Sequence, residues 1–397
     1  MLIGFTKLLC GTATISDVMR QRHGHGAMPA NLLQFSSERS PVVVWNITSQ
    51  CNLKCRHCYI EATEPAKDNE MTTAEGMAFI DDLAEMKVPV LMFSGGEPLV
   101  RPDLFELAAY AVEKGLRIVL STNGTLIDDF TAQLIKEAGF QYVGVSIDGC
   151  EETHDMFRGE KGAFAAAIAG IRAAKAAGNR TGVRFTLNSL NKRDLPAVLD
   201  LIEQEKIDRF CMYHLVYAGR GGDMKNLDVT LYEKREVAQL LIDKALDFDR
   251  RGVELEILTT DNHADGLYLL DYIAKTNPAR VPEVRQLLEL HGGCSAGDRM
   301  ADVDYLGNVH PCQFWSDLTL GNVRERKFSE IWNDLEANDG ILARLRTKPA
   351  QLNAQCGKCS QNRLCGGCRI RASVDGDIWG DDPACFWTDA AKEAKKC

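Results

Sequence analysis

The chain is predicted to be an α/β protein, a partial (β/α)6 TIM-like barrel followed by a cysteine-rich C-terminal domain. Three observations predict it. Short apolar runs alternate with helical periodicity from about residue 42 to 217, as parallel βα units require. After Arg220-Gly221-Gly222 the alternation stops, and residues 228–292 read as helices. Half of the 14 cysteines then fall between positions 294 and 385.

Strands are expected at 42–48, 88–93, 116–120, 142–147, 181–187 and 210–216. Helices between them are expected at 73–86, 103–114, 127–138, 162–177 and 193–204. Thr72 and Glu75 form a capping box for the first helix, and the longest helical run is the amphipathic 232–251. At 397 residues and 45% hydrophobic content the chain can bury a sizeable core. The implied division is an N-terminal extension over 1–39, the barrel over 40–225, a helical bridge over 226–292, and the C-terminal domain over 293–397.

A net charge of −10 without any Lys/Arg run argues against nucleic acid or an anionic membrane as partner. No apolar stretch approaches twenty residues, and Thr6 and Lys7 interrupt the apolar start, so neither a signal peptide nor a membrane span is expected. The expected location is the cytoplasm. Clustered cysteines in a long chain of that kind bind metal or do chemistry rather than form disulfides. Cys10, Cys150, Cys211 and Cys397 stand apart and read as small buried residues or surface thiols.

Cys51, Cys55 and Cys58 follow the first strand with three and then two intervening residues. Three thiolates so close can hold three irons of a cubic four-iron cluster and leave the fourth iron free to bind a cofactor. A structural zinc site would need a fourth ligand, and none closes this one. Gly95-Gly96-Glu97-Pro98 follows the second strand. Its glycines admit close backbone approach, and the Glu97 carboxylate can accept a hydrogen bond from an ammonium group. Residues past the strand ends line the cavity of such barrels. That places Ser121 and Asn123, Ser146 and Asp148, and Thr186 and Asn188 at the next three ends. Asn123-Gly124 and Asp148-Gly149 are equally good turn sequences.

The runs CNLKCRHC and GGEP resemble the cluster and methionyl-amine motifs of radical S-adenosylmethionine enzymes. That resemblance implies a catalytic [4Fe–4S] cluster on Cys51, Cys55 and Cys58, whose open iron chelates S-adenosylmethionine. Its reductive cleavage would give a 5′-deoxyadenosyl radical. Implied cofactor contacts are Gly95, Gly96 and Glu97 at the amine, and Ser121, Asn123, Ser146 and Asn188 at ribose and carboxylate. Tyr59 and His57 would lie near the adenine. Arg158 would pair with a carboxylate of cofactor or substrate, or else form a surface ion pair.

Cys294-x12-Gly307-x4-Cys312 and Cys356-x2-Cys359-x5-Cys365-x2-Cys368, with Cys385 beyond, resemble the iron–sulfur domain called SPASM, related to twitch domains. The last interval is two residues where three is usual. The resemblance implies one auxiliary [4Fe–4S] cluster on Cys356, Cys359, Cys365 and Cys385. A second would take Cys294, Cys312 and Cys368, with no cysteine in sight for its fourth iron. One auxiliary cluster in place of two, or ribbon-like zinc sites, stay open on spacing alone.

The segments TKLLCGT, LLQFS at 32–36 and PVVVWNIT resemble the alternative-haem-pathway branch of the family. This implies an iron-tetrapyrrole substrate, 12,18-didecarboxysiroheme, losing two acetate side chains to give Fe-coproporphyrin III. A low-potential donor such as ferredoxin or flavodoxin would supply electrons. Propionate removal in haem d1 synthesis and peptide modification are the alternatives within the family. A non-catalytic iron–sulfur carrier is the alternative outside it, and such a carrier has no need of Gly95 to Pro98. Buried substrate carboxylates need cations and donors, for which Tyr213, His214, Tyr217 and Arg220 are the candidates. His214 could ligate the tetrapyrrole iron or sit hydrogen-bonded in the core.

Overall fold

A computed structural model describes residues 2–12 and 40–387. The LLQFS segment, the rest of 13–39 and Cys397 lie outside them. The elements begin with β1 (Ile3–Gly4), α1 (Phe5–Cys10), β2 (Val42–Asn46), α2 (Thr73–Glu85), β3 (Leu91–Ser94), α3 (Leu104–Glu113), β4 (Ile118–Thr122) and α4 (Asp129–Glu137). They continue with β5 (Val143–Ser146), α5 (Glu151–Arg158), α6 (Ala163–Ala176), β6 (Thr181–Leu187), α7 (Leu195–Gln204) and β7 (Arg209–His214). Next come α8 (Leu231–Arg251), β8 (Glu256–Thr260), α9 (Ala264–Thr276), α10 (Val281–His291), β9 (Met300–Val303), β10 (Asn308–His310) and β11 (Gly321–Asn322). Four short helices complete the chain: α11 (Phe328–Asn333), α12 (Ala337–Arg346), α13 (Ala354–Lys358) and α14 (Arg369–Ser373).

Strands β2 to β8 run parallel in sequence order, each beside the next, the partial barrel that the alternation predicts. The capping box at Thr72 and Glu75 is present. Two elements depart from the sequence reading. The stretch 226–292, expected to be wholly helical, contains β8 as a seventh parallel strand. Its signal is weak because five residues opening on Glu256 sit between two long helices, and pairing with β7 supplies what local pattern does not. Helix α5 is likewise unforeseen, since no helix is expected from sequence between the strand at 142–147 and the helix at 162–177.

Trp45 on β2 is fully buried, edge-on to Phe79 at 5.3 Å and tilted against Phe93 at 5.7 Å. It thus locks α2 and β3 onto the strand that feeds the cysteine loop, with about 2 to 3 kcal/mol available from burying such a side chain. The sheet then continues past β2 into the C-terminal module. β9 pairs in parallel with β2 from Val42–Met300 to Trp45–Val303, and Asn46 Nδ2 donates to Asp302 Oδ1 at 2.9 Å. On the opposite side, buried Arg371 donates to Leu215 O at 3.2 Å and Asp261 O at 2.5 Å, joining the module to the ends of β7 and β8. No helix among the described residues is long and apolar enough to cross a membrane.

Candidate active site and cluster sites

The loop after β2 is tied down along its length. Cys51 N donates to Thr63 O at 3.0 Å, and Glu70 accepts from both Ser49 N at 2.7 Å and Ser49 Oγ at 2.6 Å. Arg56 N donates to Phe157 O at 2.9 Å, and Arg220 Nε donates to Cys55 O at 2.9 Å. This fixes the directions of three thiols, of which Cys51 and Cys55 are buried. Donors already face the sulfurs: Leu53 N at 3.4 Å from Cys51, Ala62 N at 3.4 Å from Cys58, and Arg158 Nη1 at 3.5 Å from Cys55. Burial pushes the Cys51 thiol up to about 12, and the neighbouring Cys55 and Cys58 add to the rise. Thiolates in that setting need cationic metal beside them, and N–H···S contacts of this kind tune iron–sulfur clusters.

Among the described residues, no three His, Cys, Asp or Glu side chains gather closely enough to hold a single metal ion. Zinc would require sulfurs about 2.3 Å from one point, whereas a cube offers each thiolate its own iron. Three thiols on one loop, each already faced by an N–H donor, are a donor set that fits a cluster.

A cleft opens over the strand ends, lined by Cys51, Cys55, Cys58, His57 and Tyr59 of the cysteine loop. Ser94, Gly95, Gly96, Ser121, Asn123, Ser146, Arg158, Thr186, Tyr213 and His214 also line it. A Cβ on Gly96 would lie 2.0 Å from Gln50 O, so glycine is what lets the end of β3 press on the cysteine loop, where Gly96 N donates to Thr48 O at 2.8 Å.

Glu97 lies behind the cleft wall, fully buried. One carboxylate oxygen accepts from Thr122 Oγ1 at 2.7 Å and Leu99 N at 3.1 Å, the other from Asn123 N at 2.7 Å. Its geometry fixes the β4 end and thereby Asn123, which shapes its own turn and also reaches Asn52 Oδ1 at 2.8 Å. Asn188 is similarly occupied with its loop, donating to Thr186 O at 3.0 Å, and is not part of the cleft lining.

Asp148 is buried and joins three groups. It accepts from Thr186 N at 2.7 Å, pairs with Arg158, and lies 3.3 Å from His57 Nε2. Burial opposes its ionisation, but Arg158 and then His57 hold its carboxyl well below the ordinary range. Arg158 thus bridges a carboxylate to Cys55 inside the protein, away from any surface ion pair. Tyr59 donates to Asn46 Oδ1 at 2.8 Å and lies edge-on to Phe314 at 5.3 Å.

The four substrate-wall candidates separate. Tyr213 and His214 line the cleft, and His214 Nε2 also meets Asp265 Oδ2 at 2.9 Å. Tyr217 turns to Asp228 Oδ2 at 2.8 Å, and Arg220 clamps the cysteine loop. Besides Arg158, which is paired with Asp148, the cleft lining contains a second arginine unforeseen from sequence, Arg184. It donates to Ser121 Oγ and to Met92 Sδ, lies 5.9 Å from the Tyr213 ring centroid, and has no carboxylate partner among the described residues. Period-two alternation with Thr186 on β6 would have found it.

The seven cysteines of the C-terminal module fall into two groups. Cys294, Cys312 and Cys368 share a small cavity with Asp261 and His263. Burial pushes the Cys368 thiol up to about 12 and raises Cys312 well above its ordinary value, while Lys348 draws Cys294 down against its burial. Burial likewise raises Cys365, with Cys385 and Cys356 adding to it. Gln361 N donates to Cys359 Sγ at 3.4 Å and Gly367 N to Cys365 Sγ at 3.5 Å. Asp382 accepts from Cys368 N at 2.7 Å and pairs with Arg371 at 2.8 Å, holding the junction of the two groups.

A barrel whose first strand end carries a three-cysteine loop, joined to a cysteine-rich module, is the arrangement of the radical SAM superfamily, and the chain belongs to that superfamily. The superfamily profile matches residues 45–202, and the iron–sulfur cluster-binding SPASM profile matches residues 294–360. Its cofactors are S-adenosylmethionine with a four-iron cluster in the barrel and iron–sulfur in the C-terminal module. Within the family the chain falls in the haem-biosynthesis branch. It is 50% identical to Fe-coproporphyrin III synthase of Methanosarcina barkeri over 98% of both chains. It is 43% identical to pre-heme d1 synthase of Dinoroseobacter shibae over 88% of this chain and 87% of that one. Streptococcus suis SuiB bound to S-adenosylmethionine shares the fold at a TM-score of 0.69 and 19% identity, over 90% of this chain and 80% of that one.

Proposed function

We propose that this enzyme removes two acetate side chains from 12,18-didecarboxysiroheme to give Fe-coproporphyrin III. The observation that carries the reading is the 50% identity to Fe-coproporphyrin III synthase, which runs through barrel and module alike over 98% of both chains. Cys51, Cys55 and Cys58 hold the catalytic cluster. S-adenosylmethionine bound there would supply the 5′-deoxyadenosyl radical for hydrogen abstraction. Gly95, Gly96, Ser121, Asn123, Ser146 and Arg158 form its bed, with Glu97 and Asn188 positioning the strand ends behind them. Tyr59 and His57 flank the cluster end.

The substrate is an anionic disc, and Arg184 with Tyr213 offers a cation and an aromatic ring in the cleft lining. A carboxylate there would gain a charge-assisted, two-pronged partner. Cys356, Cys359, Cys365 and Cys385 hold one auxiliary cluster, and Cys294, Cys312 and Cys368 contribute to a second. Electrons come from a low-potential ferredoxin or flavodoxin in the cytoplasm.

The 43% identity to pre-heme d1 synthase favours propionate removal as the second reading. Anaerobic turnover of the reconstituted enzyme with didecarboxysiroheme, S-adenosylmethionine and dithionite separates the two by product mass. Fe-coproporphyrin III with 5′-deoxyadenosine is expected; a product that has lost propionate carbon overturns the acetate reading.

A further inference from the structure

The cavity shared by Cys294, Cys312 and Cys368 contains a carboxylate whose second oxygen no described residue satisfies. Asp261 follows the last residue of β8 in the left-handed region, φ 68°, a conformation that costs a non-glycine residue about 1 kcal/mol or more. Its carbonyl is gripped by Arg371 Nη2 at 2.5 Å. Arg371 is paired with Asp382, which in turn accepts from Cys368 N at 2.7 Å. One buried ion pair therefore orients both Cys368 and Asp261. Asp261 Oδ1 accepts from Thr260 Oγ1 at 3.2 Å, while Oδ2 is buried without a hydrogen-bond partner among the described residues. A buried carboxylate oxygen left unpaired is costly unless a cation meets it.

We propose that Asp261 is the fourth protein ligand of the cluster held by Cys294, Cys312 and Cys368, bound through Oδ2. The assignment rests on the reading of those three cysteines as cluster ligands. It turns a three-cysteine site with one open iron into a closed site with mixed thiolate and carboxylate ligation, so that this cluster serves electron transfer rather than substrate binding.

The neighbouring His263 is the competitor. It lies in the same cavity, and neither of its ring nitrogens has a partner among the described residues. Its ring, however, lies edge-on to His291 at 5.5 Å, and a neutral imidazole tolerates the absence of a partner far better than a carboxylate does.

The test uses full-length chain in which Cys51, Cys55 and Cys58 are all changed to Ala, so that only auxiliary iron is read. Into it are placed Cys294→Ala, Asp261→Ala, Asp261→Cys and His263→Ala. Each variant is reconstituted anaerobically and assayed for iron and sulfide per chain, for reduced-state electron paramagnetic resonance, and for midpoint potential. Cys294→Ala should lose about four iron and four sulfide; if it loses none, the three cysteines hold no cluster and the proposal falls with that reading. Asp261→Ala should change the signal that Cys294→Ala removes. Asp261→Cys should restore full iron content with a lower potential, since thiolate donates more charge than carboxylate. That rescue separates ligand loss from misfolding. An unchanged signal and potential in both Asp261 variants, or a change in His263→Ala alone, overturns the proposal.

Discussion

Asp148→Asn isolates the charge at the centre of the cleft wall while keeping its shape. In the native chain Asp148 faces Arg158 and His57 and accepts from Thr186 N, all away from water. The substituted amide keeps an oxygen for Thr186 N, so the backbone bond survives. What is lost is the only carboxylate that Arg158 contacts among the described residues, and the new amide hydrogens face the guanidinium. Breaking a buried pair from one side costs about 3 to 5 kcal/mol. By contrast Glu203→Gln, at the exposed Glu203–Arg251 pair, should leave stability nearly unchanged, because water screens both charges.

Anaerobic urea denaturation of the two variants beside the native chain reads both effects. The pH dependence has a definite sign. The Asp148 carboxyl is depressed in the folded state, so its stabilisation is present above the unfolded carboxylate pKa and is lost as pH falls through the folded one. The gap between the native and Asp148→Asn chains should therefore narrow in acid. A loss below about 1 kcal/mol at neutral pH would refute the claim that this pair anchors Arg158 against Cys55.

Gly96→Ala should separate the β3 end from the cysteine loop, because its Cβ would meet Gln50 O at 2.0 Å; bound iron and S-adenosylmethionine affinity should both fall. Gly222→Ala, with its nearest neighbour at 3.9 Å, should keep both, and equal behaviour of the two would contradict the packing argument. Burial pushes the Asp302 carboxyl up to about 7, so its contribution to stability is full below the ordinary aspartate value and is lost as pH rises through 7. Asp302→Asn should then be more stable than the native chain at pH 8, by up to about 4 kcal/mol, with the gap narrowing toward pH 5. Denaturation midpoints that coincide at pH 8 would count against it.

What could be read from the sequence was what local pattern determines. Six barrel strands and the capping box at Thr72 announce themselves through apolar runs and cap chemistry. The cysteine spacings pointed to the cluster sites, since three thiolates as close in sequence as Cys51, Cys55 and Cys58 can each meet an iron of one cube. The rest depended on tertiary pairing. β8 is a strand because β7 lies beside it, and the donors from Leu99, Thr122 and Asn123 that hold the Glu97 carboxylate are brought together only by the fold. Arg220 has the charge of a substrate anchor but spends it on Cys55 O, whereas Arg184, hidden in an apolar strand, faces the cleft. Asp261 drew no notice in a segment read as helical.

The pairing of β9 with β2 has a consequence for how the enzyme is made. The partners Asn46 and Asp302 are 256 residues apart. During synthesis, the strand that launches the catalytic cysteine loop keeps one edge bare until the module's first strand leaves the ribosome, and such long-range pairings form late. A bare edge is an aggregation hazard. Chains truncated before residue 300 should therefore precipitate rather than yield a working barrel.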